Sequence, residues 1–186
     1  MSTTKPGESL YFIAIVPPAE LEAELYGLKQ VVSETFESKK ALNSPAHITL
    51  HMPFKWKDSK LDSLIDQLGE LTKSYSPFEM VLDGFSCFPP RVIYVDVKEN
   101  DLLSALQSDV HRQMKLLNVF NANYKDRAFR PHITIAFRDL KKSMFMPAWE
   151  YFKDREMKRA FMVEHLTLLK HDGQRWSVLQ TFPFES

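Results

Sequence analysis

Apolar positions fall into two rhythms along the chain. Leu10 to Val16 is a short apolar and aromatic run, which reads as a buried strand. Pro18 fits the first turn of a helix, with Glu20 and Glu22 near its positive end. Leu21, Leu25, Leu28, Val32 and Phe36 then recur every three or four residues, the mark of one helical face. Pro45 precedes a second apolar run that begins at His47. Ser59-Lys60-Leu61-Asp62 has the form of a capping box, ahead of an amphipathic stretch carrying Leu61, Leu64, Ile65, Leu68 and Leu71. Phe78 to Phe88 reads as a strand ended by Pro89-Pro90.

The order then starts again. Arg91 to Val97 reads as a strand, and Asn100 as the cap of a helix carrying Leu103, Leu106, Val110, Met114 and Leu117. A polar loop over Asn118 to Arg130 leads through Pro131 to another apolar run at His132. A weakly periodic segment near Pro147 to Lys158 reads as a helix. Phe161 to Lys170 reads as a strand, paired through the His171-Asp172-Gly173 turn with a last strand from Trp176 to Phe182.

The pattern is therefore strand, helix, strand, helix, strand, twice, plus one extra strand. Tyr11 lies 36 residues before His47, and Tyr94 lies 38 before His132. Two copies are too few for a solenoid, which needs at least about three. The expectation is a single bilobal domain over residues 1–186, with repeats at about 9–90 and 91–186 and a cleft between the lobes. Each unit has a β-α-β-α-β order, related to the other by pseudo-twofold symmetry.

Composition narrows the setting. Lys plus Arg equals Asp plus Glu at 24 each, which argues against a broad nucleic-acid-coating surface but leaves room for a small basic site. The lone Cys87 rules out an internal disulfide framework and fits a reducing compartment. No run approaches membrane-spanning length. A monomeric, cytoplasmic protein with no membrane partner is expected.

The two apolar runs spell nearly the same word: His47-Ile48-Thr49-Leu50 and His132-Ile133-Thr134-Ile135. Side chains alternate along a strand, so His and Thr at i and i+2 share a face. Two facing copies supply two imidazoles for proton transfer and two hydroxyls for a phosphate. One His in a strand is ordinarily structural; the same pair at matching places in two units is not. His47 and His51 have the spacing of a metal pair on a helix. On a strand, four residues span about 13 Å, so no metal site is expected there. His51 then sits at the strand rim as a candidate substrate contact. Arg130 and Arg138 flank the second motif, Arg91 precedes a strand, and Lys125 and Arg127 lie in the polar loop; Arg grips phosphate through its fork. Phe54 and Trp56 have rings of the kind that stack on a base, with core packing the favoured reading for Phe54 and a substrate contact the lesser one.

The two tetrapeptides resemble the paired H-x-[ST]-x motifs of the two-histidine phosphoesterase superfamily. Pro131 to Ala136 and Phe88-Pro89-Pro90-Arg91-Val92-Ile93-Tyr94 look like its 2',5'-RNA ligase-like branch. The resemblance runs from Leu10 to the Trp176 strand. It implies a bilobal α+β fold with antiparallel-rich sheets lining a central cleft and helices outside. It implies His47 and His132 as the acid–base pair, Thr49 and Thr134 as phosphate ligands, and no cofactor. The implied partner is a nucleotide or RNA end carrying a 2',3'-cyclic or 2',5'-linked phosphodiester. Some members join RNA ends in reverse. Many of these carry a basic residue five positions after the second motif His; here that position is Phe137, with Arg138 next. The alternative from another class is a nucleotide or RNA-end binding module without turnover, which would not require two proton-transfer groups.

Overall fold

The computed structural model describes residues 5–119 and 128–185, so Lys125 and Arg127 lie outside the described residues. Eight strands form one sheet. They are β1 (Glu8–Ile15), β2 (Ile48–Lys57), β3 (Phe78–Phe88), β4 (Val92–Val97), β5 (His132–Ala136), β6 (Lys158–Val163), β7 (His165–His171) and β8 (Trp176–Pro183). The helices are α1 (Ala19–Phe36), α2 (Leu61–Thr72), α3 (Asp101–Leu116) and α4 (Lys142–Phe152). The sheet order is β6-β3-β4-β5-β2-β1-β7-β8, and every pairing is antiparallel. The result is a curled half-barrel with helices outside.

The curl follows from one short link. Glu164 alone joins β6 at one margin to β7, six positions across the sheet. In a flat sheet those strands would lie roughly 29 Å apart. Two residue steps reach only about 7 Å. The margins must therefore approach one another at this end. There Phe78 of β3 stacks on Phe184 just beyond β8, with centroids 6.0 Å apart. The Phe184 N–H donates to the Glu164 carbonyl at 2.8 Å. The single strand expected over Phe161 to Lys170 is thus two strands, broken so that each serves a different margin.

The repeated units exchange strands. β3, last in the first unit, pairs with β4 and β6. β7 and β8 close onto β1. Each half-sheet therefore mixes residues from both repeats, while the β-α-β cores β1-α1-β2 and β4-α3-β5 keep matching places. The helices cross over as well: α1 packs on β5 and α3 packs on β2.

The apolar faces read from periodicity build the core. α1 buries Leu21, Leu25, Val32 and Phe36, with Lys29 among them. α3 buries Leu103, Leu106, Val110 and Met114, and Asn100 caps it by accepting the Leu103 N–H at 2.9 Å. The expected Ser59 cap does not form. Asp58 to Lys60 make a short 3-10 turn, and Asp58 accepts the Tyr11 hydroxyl at 3.0 Å instead. The last helix starts at Lys142, five residues before the expected Pro147, and ends at Phe152. There Arg155 turns back, its guanidinium 3.8 Å from the Tyr151 ring centroid. Strand β2 runs through Pro53, which is exposed at a break in the β1–β2 register, where no ladder N–H is required.

Among the described residues no helix is long and apolar enough to cross a membrane. His51, on β2, is only 3% exposed. Its ring lies 5.1 Å from that of His111 on α3 and 5.4 Å from Phe54. Burial and the His111 ring push its pKa down to about 4. The unfolded chain binds this proton near pH 6.5 and the folded chain only near 4. Its share of stability is therefore full above pH 6.5 and drains away as pH falls toward 4. Denaturant titrations at about pH 7 and about pH 4.5 will show a loss about 2–3 kcal/mol smaller in His51→Phe than in the parent. Equal losses would show that His51 does not carry this dependence.

Candidate active site

Strands β2 and β5 meet at the antiparallel pair Ile48↔Ile133. Both isoleucines are fully buried on the helix side. Their flanking residues therefore face the other way. The register puts His47 across from Thr134 and Thr49 across from His132. All four are half-buried. The two histidines occupy diagonal positions, for which strand geometry gives about 7–8 Å. That gap suits one phosphate between two imidazoles.

Both rings are held by the same device. His47 donates its Nδ1–H to the Pro45 carbonyl at 2.8 Å, and His132 donates its Nδ1–H to the Arg130 carbonyl at 2.7 Å. A carbonyl only accepts, so Nδ1 carries the proton in each ring. This leaves Nε2, on the other side of the ring, for chemistry. Aromatic rings back each imidazole. Phe12 lies 4.7 Å from His47, with Trp176 edge-on to Phe12 at 4.7 Å. Tyr94 lies 4.8 Å and Phe88 5.3 Å from His132.

The electrostatics are less symmetric than the geometry. Burial pushes the His47 pKa down to about 4; the Pro45 carbonyl opposes this, and Lys29 and His132 add to it. Burial also lowers the His132 pKa, but the Arg130 carbonyl and Asp96, its cross-strand partner on β4, both raise it. His132 is thus the easier of the two to protonate.

Beneath His47 lies a network the sequence did not announce. Lys29 is 1% exposed and donates to the Ser44 carbonyl at 2.9 Å. Glu22 accepts the Ala46 N–H at 3.1 Å. These two α1 residues grip the segment on either side of Pro45, whose carbonyl orients His47. Asp139, just after β5, accepts from the Ser38 hydroxyl and the Lys39 and Lys40 N–H groups at 2.7–3.0 Å, fixing the turn before that segment. Lys29 had left one signal: it falls on the stripe Leu25, Val32, Phe36, where a charge is out of place.

The other expected contacts fare differently. His51 is corrected from rim to core, because the register break in β2 turns it toward α3. His47 packs on Phe12 of the opposite face, so the two do not share an ion. Phe54 is 7% exposed and packs on Tyr11, so it is core rather than a stacking platform. Arg130 contributes its carbonyl, and its side chain is exposed. Arg91 donates to the Arg138 carbonyl at 3.0 Å. Arg138 has a left-handed backbone (φ 55°), and its guanidinium lies over Phe137.

Fold and site together define a two-histidine phosphoesterase. The sequence profile of the 2'-5' RNA ligase superfamily matches residues 17–175, and the chain belongs to that family. A Geobacillus thermodenitrificans protein provisionally named phosphoesterase is 28% identical over 141 residues, 74% of this chain and 78% of its own length. Escherichia coli LigT, solved with 3'-AMP, superimposes with a TM-score of 0.70 at 19% identity, covering 96% of this chain and 99% of its own. TT0787 of Thermus thermophilus gives 0.66 at 21% identity, covering 94% and 97%.

Lys29 is a positive neighbour that depresses His47, so its removal lifts the His47 pKa toward the ordinary imidazole range. Histidine NMR titration of Lys29→Met checks this. An unmoved or lower His47 pKa would show that the buried charge does not act on the ring.

Proposed function

We propose that the protein is a metal-independent phosphodiesterase acting on 2',3'-cyclic or 2',5'-linked nucleotide or RNA phosphodiesters. The observation that carries the reading is the pair of imidazoles at diagonal positions across β2 and β5, each with Nδ1 pinned to a backbone carbonyl so that Nε2 is the nitrogen left for chemistry. The family and the 3'-AMP complex of LigT support a nucleotide substrate. Both motifs come from one chain, so the site needs no second copy.

In this mechanism His47, the harder ring to protonate, is the base. Its Nε2 takes a proton from water as the water oxygen bonds to phosphorus. His132 gives its Nε2 proton to the departing ribose oxygen as the other P–O bond breaks. In-line displacement requires the two rings on opposite sides of the phosphate, and their diagonal positions across the β2–β5 pair are compatible with that. Thr49 and Thr134 donate to the non-bridging oxygens, where negative charge grows. Each proton transfer is typically worth about 10²–10⁴-fold in rate. Hydrolysis is the favoured direction over RNA joining, because Phe137 stands where many joining members place a basic side chain.

Hydrolysis of nucleoside 2',3'-cyclic phosphates with EDTA present tests the proposal. His47→Ala and His132→Ala will each lower kcat about 10²–10⁴-fold. Parent-like rates in both variants would remove the mechanism, and loss of parent activity with EDTA would point to a metal. Asp96 lifts the His132 pKa, so Asp96→Asn will move the basic limb of the kcat/KM profile to lower pH. A limb that stays in place would take the acid role away from His132.

A further inference from the structure

We infer that a cavity beside His47 is the nucleobase pocket of this enzyme, an inference that rests on the phosphodiesterase reading and names where substrate choice is made. The cavity has a volume of about 310 Å³. Glu22 and Tyr26 of α1 form one wall, Asn43 and Pro45 of the turn before β2 another, and Arg175 and Trp176 at the start of β8 a third.

Its position ties it to the chemistry. Pro45 is the residue whose carbonyl orients His47. Trp176 packs on Phe12, which packs on His47. The cavity is therefore linked to the imidazole through Pro45 on its Nδ1 side and, by way of Phe12 and Trp176, through two rings. Its size, at the small end for ligand pockets, fits one nucleoside and not a longer stretch of RNA.

Its chemistry fits a base. Tyr26 and Trp176 are half-buried, so each packs against the protein while keeping part of its ring toward solvent. Flat faces of this kind stack on any base. The base edge is then met by mixed polar groups. Asn43 both donates and accepts, Arg175 only donates, and Glu22 keeps a second carboxylate oxygen beyond the one that takes the Ala46 N–H. A bare phosphate would find a carboxylate facing it here, so the polar set favours a neutral heterocycle. The turn that carries Asn43 is itself anchored by Asp139 and Lys29, so the walls are preformed.

The test compares two cyclic phosphates, a nucleoside 2',3'-cyclic phosphate and its base-free counterpart, methyl riboside 2',3'-cyclic phosphate. The parent will prefer the nucleoside. Trp176→Ala will lower that preference, the ratio of the two kcat/KM values, about ten- to hundredfold through KM. Trp176→Phe will restore much of it. Arg175→Ala, a change at an exposed position, will lower the ratio as well. Calorimetric affinity for 3'-AMP will fall in the same order, without any need for turnover. A ratio and a 3'-AMP affinity that stay at parent values in both Trp176→Ala and Arg175→Ala would overturn the pocket. Equal loss on both substrates in Trp176→Ala would also overturn it, because it would mean that the ring only props His47. Failure of the parent to hydrolyse either compound would instead overturn the phosphodiesterase reading.

Discussion

The antiparallel bridge between Ile48 and Ile133 is the contact on which the site depends. Strands β2 and β5 meet at that pair, and the two half-sheets become one sheet there. Nothing in either motif alone creates a site: each offers one imidazole and one hydroxyl. The bridge converts them into two cross-strand pairs at one point. Two buried side chains would not hold such a junction unaided. It is reinforced because α1 of the first unit packs on β5 and α3 of the second packs on β2. Asp139 then ties the end of β5 to the turn before β2. Each unit is thus completed by the other, and the catalytic centre sits where the mutual dependence is greatest.

Duplication supplies two equal groups, whereas acid–base catalysis needs unequal ones. The two rings share their geometry while their surroundings differ. Both rings bond to the carbonyl two residues before them, and both rest on aromatic rings. The difference is placed around the rings. Lys29, a buried cation, lies under the His47 segment. Asp96, an anion, sits across the strand from His132. Burial lowers both pKa values, and on top of it Lys29 lowers that of His47 further while Asp96 raises that of His132. Environments that pull two titratable groups apart are the usual way one site runs both acid and base chemistry.

Most of the architecture was legible because it rests on local periodicity. The stripes Leu21-Leu25-Val32-Phe36 and Leu103-Leu106-Val110-Met114 became buried helix faces, and β3 runs from Phe78 to Phe88 as its composition indicates. The centre of the site was legible because a duplicated motif is improbable unless both copies act. What escaped depends on relations that spacing does not encode. Pairing of β3 with β4 rather than within its own repeat is set by topology. The cut at Glu164 coincides with the polar pair Glu164-His165, a two-residue interruption too short to mark a strand end by composition. His51 escaped because the β1–β2 register shifts between Thr49 and His51, which turns its ring into the core, whereas Phe54 packs in the core as its apolar character favours. The Ser59 cap does not form because Ser59 lies inside the 3-10 turn Asp58–Lys60, which makes Lys60 the residue before α2. Lys29 alone was within reach, as a charge on an apolar stripe.

Floor and rim of the site have different origins, and this separates chemistry from choice of substrate. The floor is built from the repeated elements, so its two halves must match for the motifs to meet. The rim draws on pieces that differ between the units, among them the extra strand β8 and the β3–β4 turn. On the His132 side, Arg91 reaches from the β3–β4 turn to the carbonyl of Arg138. On the His47 side, the turn before β2 and the start of β8 enclose the cavity with α1. Changes at Arg175, Asn43 or Arg91 leave the Ile48–Ile133 bridge and the two carbonyls that hold the imidazoles in place, whereas Pro45 belongs to both rim and floor. A fold arranged in this way can keep one reaction while varying what it accepts, since the twofold relation constrains only the residues that touch the phosphate.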